Sequence, residues 1–422
     1  MKPKTQLRFA SLCSVAMVMV LGNSMLIPVL PLLKRNLGYT AVQAGLLITA
    51  FSAAAGLTIP LAGFLSDRFG RKNVIVPALI LYGAAGVASG LALRFFGRSL
   101  WPVLVARAIQ GAGAGGTYQI AMALTGDIFQ TKERRAALGY LEASNGGGKV
   151  IAPLAGSALG MLHWSAPFYL YGIASLPVAY LVWTSVREPQ GNRQQKSAGE
   201  YRDTLVEIIR TKAGSLAACF LAGMLVLFLY FGVLANLSDI LEAERGLSGI
   251  LLGLVIAIPV SAMAATSFLS GRWLARCDAV TVRKAASIGL SLAAAGLLAA
   301  TFVRSHPLLV ASIAAMGVGN GIVLPSLNSL ITSCANIEQR GLITSLYGTA
   351  RHIGAASGPP LFVMLIQKVG PLAYGLAAAA AISTSLLVLL TVREKLMLED
   401  EKGTKQEKTG EAQRPAPVTY DP

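Results

Sequence analysis

Apolar residues recur along this chain in runs of about twenty, the length an α-helix needs to cross the hydrocarbon of a bilayer, with short polar or glycine-containing turns between them. Six runs lie at roughly 8–30, 44–66, 73–93, 100–126, 136–162 and 166–186. After a polar stretch, six more follow at roughly 213–236, 247–271, 285–303, 307–333, 341–366 and 371–392. The pattern predicts an all-α polytopic membrane protein of twelve transmembrane helices. It divides into a six-helix bundle over 1–186, a central loop over 187–212, a second six-helix bundle over 213–393 and a disordered tail over 394–422. That tail is charged and too poor in apolar residues to bury a core. The first run is read as a retained span, because no small-residue cleavage site follows it and it ends in Asn23-Ser24-Met25-Leu26-Ile27-Pro28.

The two halves repeat. Phe64-Leu65-Ser66 matches Phe268-Leu269-Ser270, Gly111-Ala112-Gly113 matches Gly317-Val318-Gly319, and Ala152-Pro153 matches Gly358-Pro359, at offsets of 204, 206 and 206. Two pseudo-symmetric bundles about an axis along the membrane normal place a substrate site between them, near the midplane.

Composition agrees with a lipid solvent: 54% of the 422 residues are hydrophobic and 13% charged, against roughly 25% charged in a soluble domain. A net charge of +16 would point to nucleic acid in a soluble protein. Its placement points to topology instead. Of the 36 Lys and Arg, twenty-six fall on the side of the termini and seven (Lys34, Arg35, Arg94, Arg98, Arg245, Arg304, Lys368) on the other. The positive-inside rule then predicts a multi-pass protein of the cell membrane with both termini cytoplasmic and no nucleic-acid partner. The remaining three, Arg107, Lys149 and Arg351, lie inside spans.

Enzyme chemistry is not indicated. The three histidines stand far apart, the four cysteines (Cys13, Cys219, Cys277, Cys334) have no metal-ligand spacing, and there is no nucleotide-binding loop. No metal and no cofactor are expected. A channel or a receptor remains a rival to a carrier. The expected partners of a carrier are a small organic substrate, protons and the bilayer, with the monomer as the working unit.

The loop after the second run reads Gly63-Phe64-Leu65-Ser66-Asp67-Arg68-Phe69-Gly70-Arg71-Lys72. It resembles the signature loop of the major facilitator superfamily, G-x-L-x-D-R-x-G-R-K, at every specified position. The resemblance implies the twelve-helix fold of that family and a conformational latch formed by Gly63, Asp67, Arg68, Gly70, Arg71 and Lys72. In it Gly63 lets helix 2 pack closely, Gly70 permits a tight turn, and Asp67 opposes a basic residue or a helix dipole of the other bundle. The plain alternative is a topogenic cluster of positive charge. The equivalent loop in the second half has Gly271 where Asp67 stands in the first.

Arg107-Ala108-Ile109-Gln110-Gly111-Ala112-Gly113 is similar to the family's R-x-x-q-G-x-G motif, which implies a role for Arg107 in proton coupling. The alternative is a hydrogen-bonded post between helices, since an arginine in hydrocarbon needs partners. Gly148, Pro153 and Gly156 match the family's antiporter motif G-x-x-x-G-P-x-x-G-G, whereas Ala152 and Ser157 replace glycines of it. The resemblance implies antiport, with helix 5 bending against helix 8 as a seal toward the outside.

Glu142, Asn145 and Lys149 recur at i, i+3 and i+7, one helical face spread over about 10 Å. The repeat sets Asn145 opposite Arg351 and its neighbour His352, so these residues, with Asn23 and Gln110, are expected to border one cavity. Lys149 can also pair with Glu142 or snorkel, and Arg351 can bond backbone carbonyls. If the charges are free, the cavity leans positive and favours an anionic or catechol-type metabolite such as a siderophore. Otherwise a broad-specificity multidrug efflux pump or a proton-symport importer fits. The energy source is expected to be the proton gradient. Glu142 is the first candidate for the coupling carboxylate, ahead of Asp127, Asp239 and His352.

The latch generates one expectation. Asp67→Asn leaves the protein inserted at the parent's abundance but slows transport strongly, as uptake or efflux assays normalised to membrane protein read out. Parental transport by that variant removes the latch.

Overall fold

A computed structural model describes residues 3–97, 99–129, 131–186, 188, 198–333 and 337–392 of the chain. In order, the helices are α1 (Pro3–Ser24), a 3-10 turn (Ile27–Val29), α2 (Leu30–Leu37), α3 (Ala41–Phe69), α4 (Arg71–Phe96), α5 (Leu100–Gly115), α6 (Tyr118–Ile128), α7 (Thr131–Leu162) and α8 (Ala166–Ser185). The second half holds α9 (Ala198–Arg245), α10 (Gly249–Leu274), α11 (Ala279–Phe302), α12 (His306–Ser333), α13 (Ile337–Val369) and α14 (Leu372–Thr391). No strand occurs among the described residues. Each of the twelve predicted runs falls on helix, and among the described residues nine segments are long and apolar enough to cross a membrane. The other three are the α5–α6 pair, α7 and α13. The first of these is broken, and the other two carry ionisable and small residues that lower their hydropathy.

Two predicted runs are interrupted. The first breaks after Ser24 where Pro28 and Pro31 withhold backbone donors. The fourth breaks at Gly116-Thr117, after a stretch with four glycines in six residues, Gly111 to Gly116. There Thr117 bends its hydroxyl back to the Ala114 carbonyl at 2.6 Å. Helix α9 begins at Ala198, inside the predicted central loop, where Ala198–Lys212 holds no proline to stop it. Cys334 and the tail from Glu394 lie outside the described residues.

Packing makes the repeat visible. In the first half α1 packs on α7 and α8, α3 on α5, and α4 on α5 and α8. In the second, α9 packs on α13 and α14, α10 on α12, and α11 on α12 and α14, the same arrangement one repeat later. Matching left-handed glycines close the equivalent helices, Gly38 at φ 71° and Gly246 at φ 63°. Between the halves, α3 lies along α13, α7 along α10, and α2 beside α9.

Lipid tails are as apolar as leucine, so helices in a bilayer gain chiefly from close approach of small residues. At the seam of the halves, Gly45 of α3 admits Pro359 and Pro360, and Gly253 of α10 admits Pro153 and Ser157. Within the first half, a Cβ on Gly111 would stand 2.0 Å from the Phe51 carbonyl oxygen, so α3 and α5 touch backbone to backbone.

Gly111→Ala is therefore expected to destabilise the first half by about 1–3 kcal/mol through overpacking, seen as a lower melting temperature in detergent. Gly139→Ala, where an added Cβ meets nothing within 4 Å, is the matched control with no such loss.

Candidate functional site

The break after Ser24 frees a carbonyl. Leu26 N–H bonds Asn23 O, so Gly22 O loses its intrahelical partner. Arg107, fully buried on α5, fills the vacancy. Its Nη2 donates to Gly22 O at 3.0 Å and to Asn23 Oδ1 at 2.8 Å, Nη1 to Gln110 Oε1 at 2.7 Å, and Nε to Leu47 O at 3.1 Å. Tyr171 adds a second bond to Gly22 O at 3.1 Å, and Asn23 Nδ2 donates to Ser52 Oγ at 2.6 Å. The guanidinium carbon also sits 4.5 Å from the Phe51 ring centroid. Every one of the four acceptors is uncharged, so Arg107 joins α1, α3 and α5 as a post. Asn23 and Gln110, expected at the cavity, are instead buried in this network, 8% and 0% exposed.

The charges of α7 and α13 come within electrostatic range of one another. The Tyr118 hydroxyl, first residue of α6, donates to Glu142 Oε1 on α7. Lys149 lies within electrostatic range of Glu142 in its own half and of Arg351 in the other. Tyr118 is likewise within range of Arg351. Glu142 keeps solvent-accessible surface, and Lys149 and Arg351 are half-buried. Arg351 stacks its guanidinium over the Tyr347 ring at 5.5 Å, and its Nε has no hydrogen-bond partner among the described residues. One carboxylate against two cations leaves the cluster a formal +1. Asn145 is buried behind it. His352 is within electrostatic range of Arg351, but its Nδ1 donates to Gly348 O at 2.9 Å in its own helix, and its Cβ would lie 3.0 Å from one added to Gly56 of α3.

The other two acidic candidates sit at opposite ends of the molecule. Asp127, closing α6, bonds Arg71 Nε at 2.5 Å. Arg71 also lies 3.3 Å from Asp67, and its backbone N–H donates to Glu188 at 3.0 Å. Gly70 turns the chain at φ 102°, the tight turn the signature loop requires. Arg68 and Lys72 lie over the rings of Phe69 and Trp183 at 5.7 and 5.0 Å. Gly63 approaches Ser345 of the other half, a Cβ there standing 3.2 Å from its hydroxyl.

At the far end, Asp239 of α9 pairs with Lys34 of α2 at 2.6 Å, and Glu242 with Arg35 at 3.8 Å. These pairs join the two halves, and sequence reasoning missed them. The available signal was that the last two turns of repeat-equivalent helices carry opposite charges. Tyr118 was missed because its only mark was its place just after a glycine cluster.

The antiporter-like segment faces two ways. Gly148 admits Met17 of α1 and Gly156 admits Met25 in the break just after it, whereas Pro153 and Ser157 meet Gly253 of α10. The contact of this segment with the opposite half is thus made by Pro153 and Ser157, and Gly148 and Gly156 serve its own half. Ser157 is accommodated where the motif has glycine because the partner helix supplies the glycine.

A family model described as Major Facilitator Superfamily matches residues 12–277 and 219–419. A bacillibactin exporter of Bacillus subtilis is 34% identical over 392 residues, covering 92% of this chain and 97% of its own. The class B tetracycline resistance protein of Escherichia coli is 24% identical, covering 92% and 95%. Among solved structures, the human organic anion transporter MFSD10 (TETRAN) superposes with a TM-score of 0.70 at 19% identity, covering 92% of this chain and 100% of that one.

Arg107→Lys keeps the charge but cannot reach four acceptors in one plane. It is expected to cost on the order of 2–4 kcal/mol of stability, measured as a drop in melting temperature, with all substrates affected alike. Selective loss for one charge class of substrate, at unchanged stability, would show that the arginine acts at the cavity instead.

Proposed function

Because the chain belongs to the major facilitator superfamily, and is a membrane transporter and not an enzyme, we propose that it is a proton-coupled exporter in the cell membrane. Its cargo is a small organic anion, a catechol-type metabolite such as a siderophore, moved by alternating access between the two halves. The observation that carries this reading is the cluster of Glu142, Lys149 and Arg351, which draws charge from both halves and nets +1. A lipophilic cation meets repulsion there and an anion attraction. Export accords with the relatives, an exporter and a resistance protein by name.

Coupling falls to Glu142, since Asp127 and Asp239 are held in ion pairs at the two ends and His352 bonds its own helix. The ionised carboxylate accepts a cargo hydroxyl, and a proton competes for the same oxygens. The termini are placed in the cytoplasm by the distribution of Lys and Arg. On that orientation, the Lys34–Asp239 and Arg35–Glu242 pairs close the outer end in this conformation. The loop at Asp67 to Lys72 acts at the inner end. No cofactor is required, and the monomer contains both halves of the site.

Neutralising the cations tests the cargo. Lys149→Gln and Arg351→Gln are each expected to weaken binding of an anionic catechol by about 5-fold to 150-fold while sparing a lipophilic cation, measured on purified protein. Arg351→Lys restores only part of this, having lost the planar fork. Glu142→Gln is expected to abolish uncoupler-sensitive accumulation in proteoliposomes while leaving exchange down a gradient. If the neutralised variants bind both ligand classes as the parent does, a broad-specificity efflux pump replaces this reading.

A further inference from the structure

Tyr118 occupies an unusual place for a tyrosine in a membrane helix. The break at Gly116-Thr117 lets the chain turn between α5 and α6, and the first residue after it points its phenol across to α7, where the hydroxyl donates to Glu142. The side chain is only 8% exposed, whereas the carboxylate that receives it retains open surface. Across the seam, Arg351 lies within range of the same phenol with its Nε unpartnered among the described residues. An ionised carboxylate accepting a phenolic O–H, next to an unused N–H donor from the opposite half, is half of a recognition site for an aromatic ring bearing two adjacent oxygens. One oxygen gives its proton in a hydrogen bond to the carboxylate, and the second accepts from the guanidinium.

We propose that Tyr118 is a specificity-determining residue that stands in for the cargo: its phenol fills the Glu142 position which a hydroxyl of an aromatic substrate takes on loading. This rests on the cargo reading above and deepens it, by naming the residue that selects for the phenolic hydroxyl. The exchange is between like groups, so the carboxylate has a partner before and after. What loading adds is the bond to Arg351, which links the substrate to both halves at once. The resident tyrosine also sets a threshold. A ligand without a hydroxyl cannot replace the bond it breaks.

The test compares two anionic probes that differ only in hydroxyl groups, 2,3-dihydroxybenzoate and benzoate, on purified full-length protein. Parent and Tyr118→Phe are titrated by calorimetry, and their melting temperatures are recorded. Removing the internal competitor is expected to tighten 2,3-dihydroxybenzoate by about 3-fold to 10-fold and to leave benzoate within about 2-fold. In an Arg351→Gln background the gain on removing the Tyr118 hydroxyl is expected to shrink, because the second contact is gone. If both probes weaken together along with a lower melting temperature, Tyr118 is only a pin between α6 and α7 and the proposal is overturned. Unchanged binding of both probes also overturns it, and leaves the cargo reading standing. A parent protein that binds neither probe overturns the cargo reading and this inference with it.

Discussion

An arginine in the middle of a bilayer must have every donor met, because an ionised group left bare in hydrocarbon costs more than one helix contact returns. The first half of this molecule is arranged around that demand. A break in the opening helix releases the Gly22 carbonyl, and Arg107 takes it up together with Asn23, Leu47 and Gln110. Phe51 and Tyr171 enclose the guanidinium from both sides. Three helices are thus tied by one side chain, and backbone contact at Gly111 keeps the tie short. With α1, α3 and α5 held this way, the half can move as a unit.

The second half repeats the helix arrangement without repeating this post. Where Arg107 stands in α5, the matching stretch of α12 is apolar, and its packing comes from close approach at Gly317 and Gly319. The asymmetry has a consequence at the seam. The Glu142 carboxylate and one cation come from α7, while the other cation comes from α13. Neither half alone holds the whole charge cluster, so any rocking of one half against the other alters the field a substrate meets. The far end carries the complementary arrangement, basic residues on α2 against acidic ones on α9. These partly exposed pairs can part in water at modest cost.

Much of this was legible in the chain. Hydropathy places the helical runs because each is a local sum over about twenty residues, and the offset matches expose the repeat. The turn at Gly70 and the family loop around it read directly from residues 63 to 72. Arg107, Glu142, Lys149 and Arg351 stood out as charges where apolar residues belong. Which of them meet did not. Three of the partners that define the site are a carbonyl freed by a helix break, a tyrosine 24 positions from its carboxylate, and a cation in the other half.

The linear sequence determined which segments enter the bilayer, which charges go in with them and where the chain can turn, since these depend on composition over one or two helical turns. The tertiary structure alone decided that Asn23 and Gln110 serve a buried post, that His352 turns to its own helix, and that Asp239 closes the far end. Those outcomes depend on how far each helix is rotated about its own axis. That rotation is set where glycines of one segment admit the backbone of another, a hundred or more residues away, as Gly253 admits Pro153.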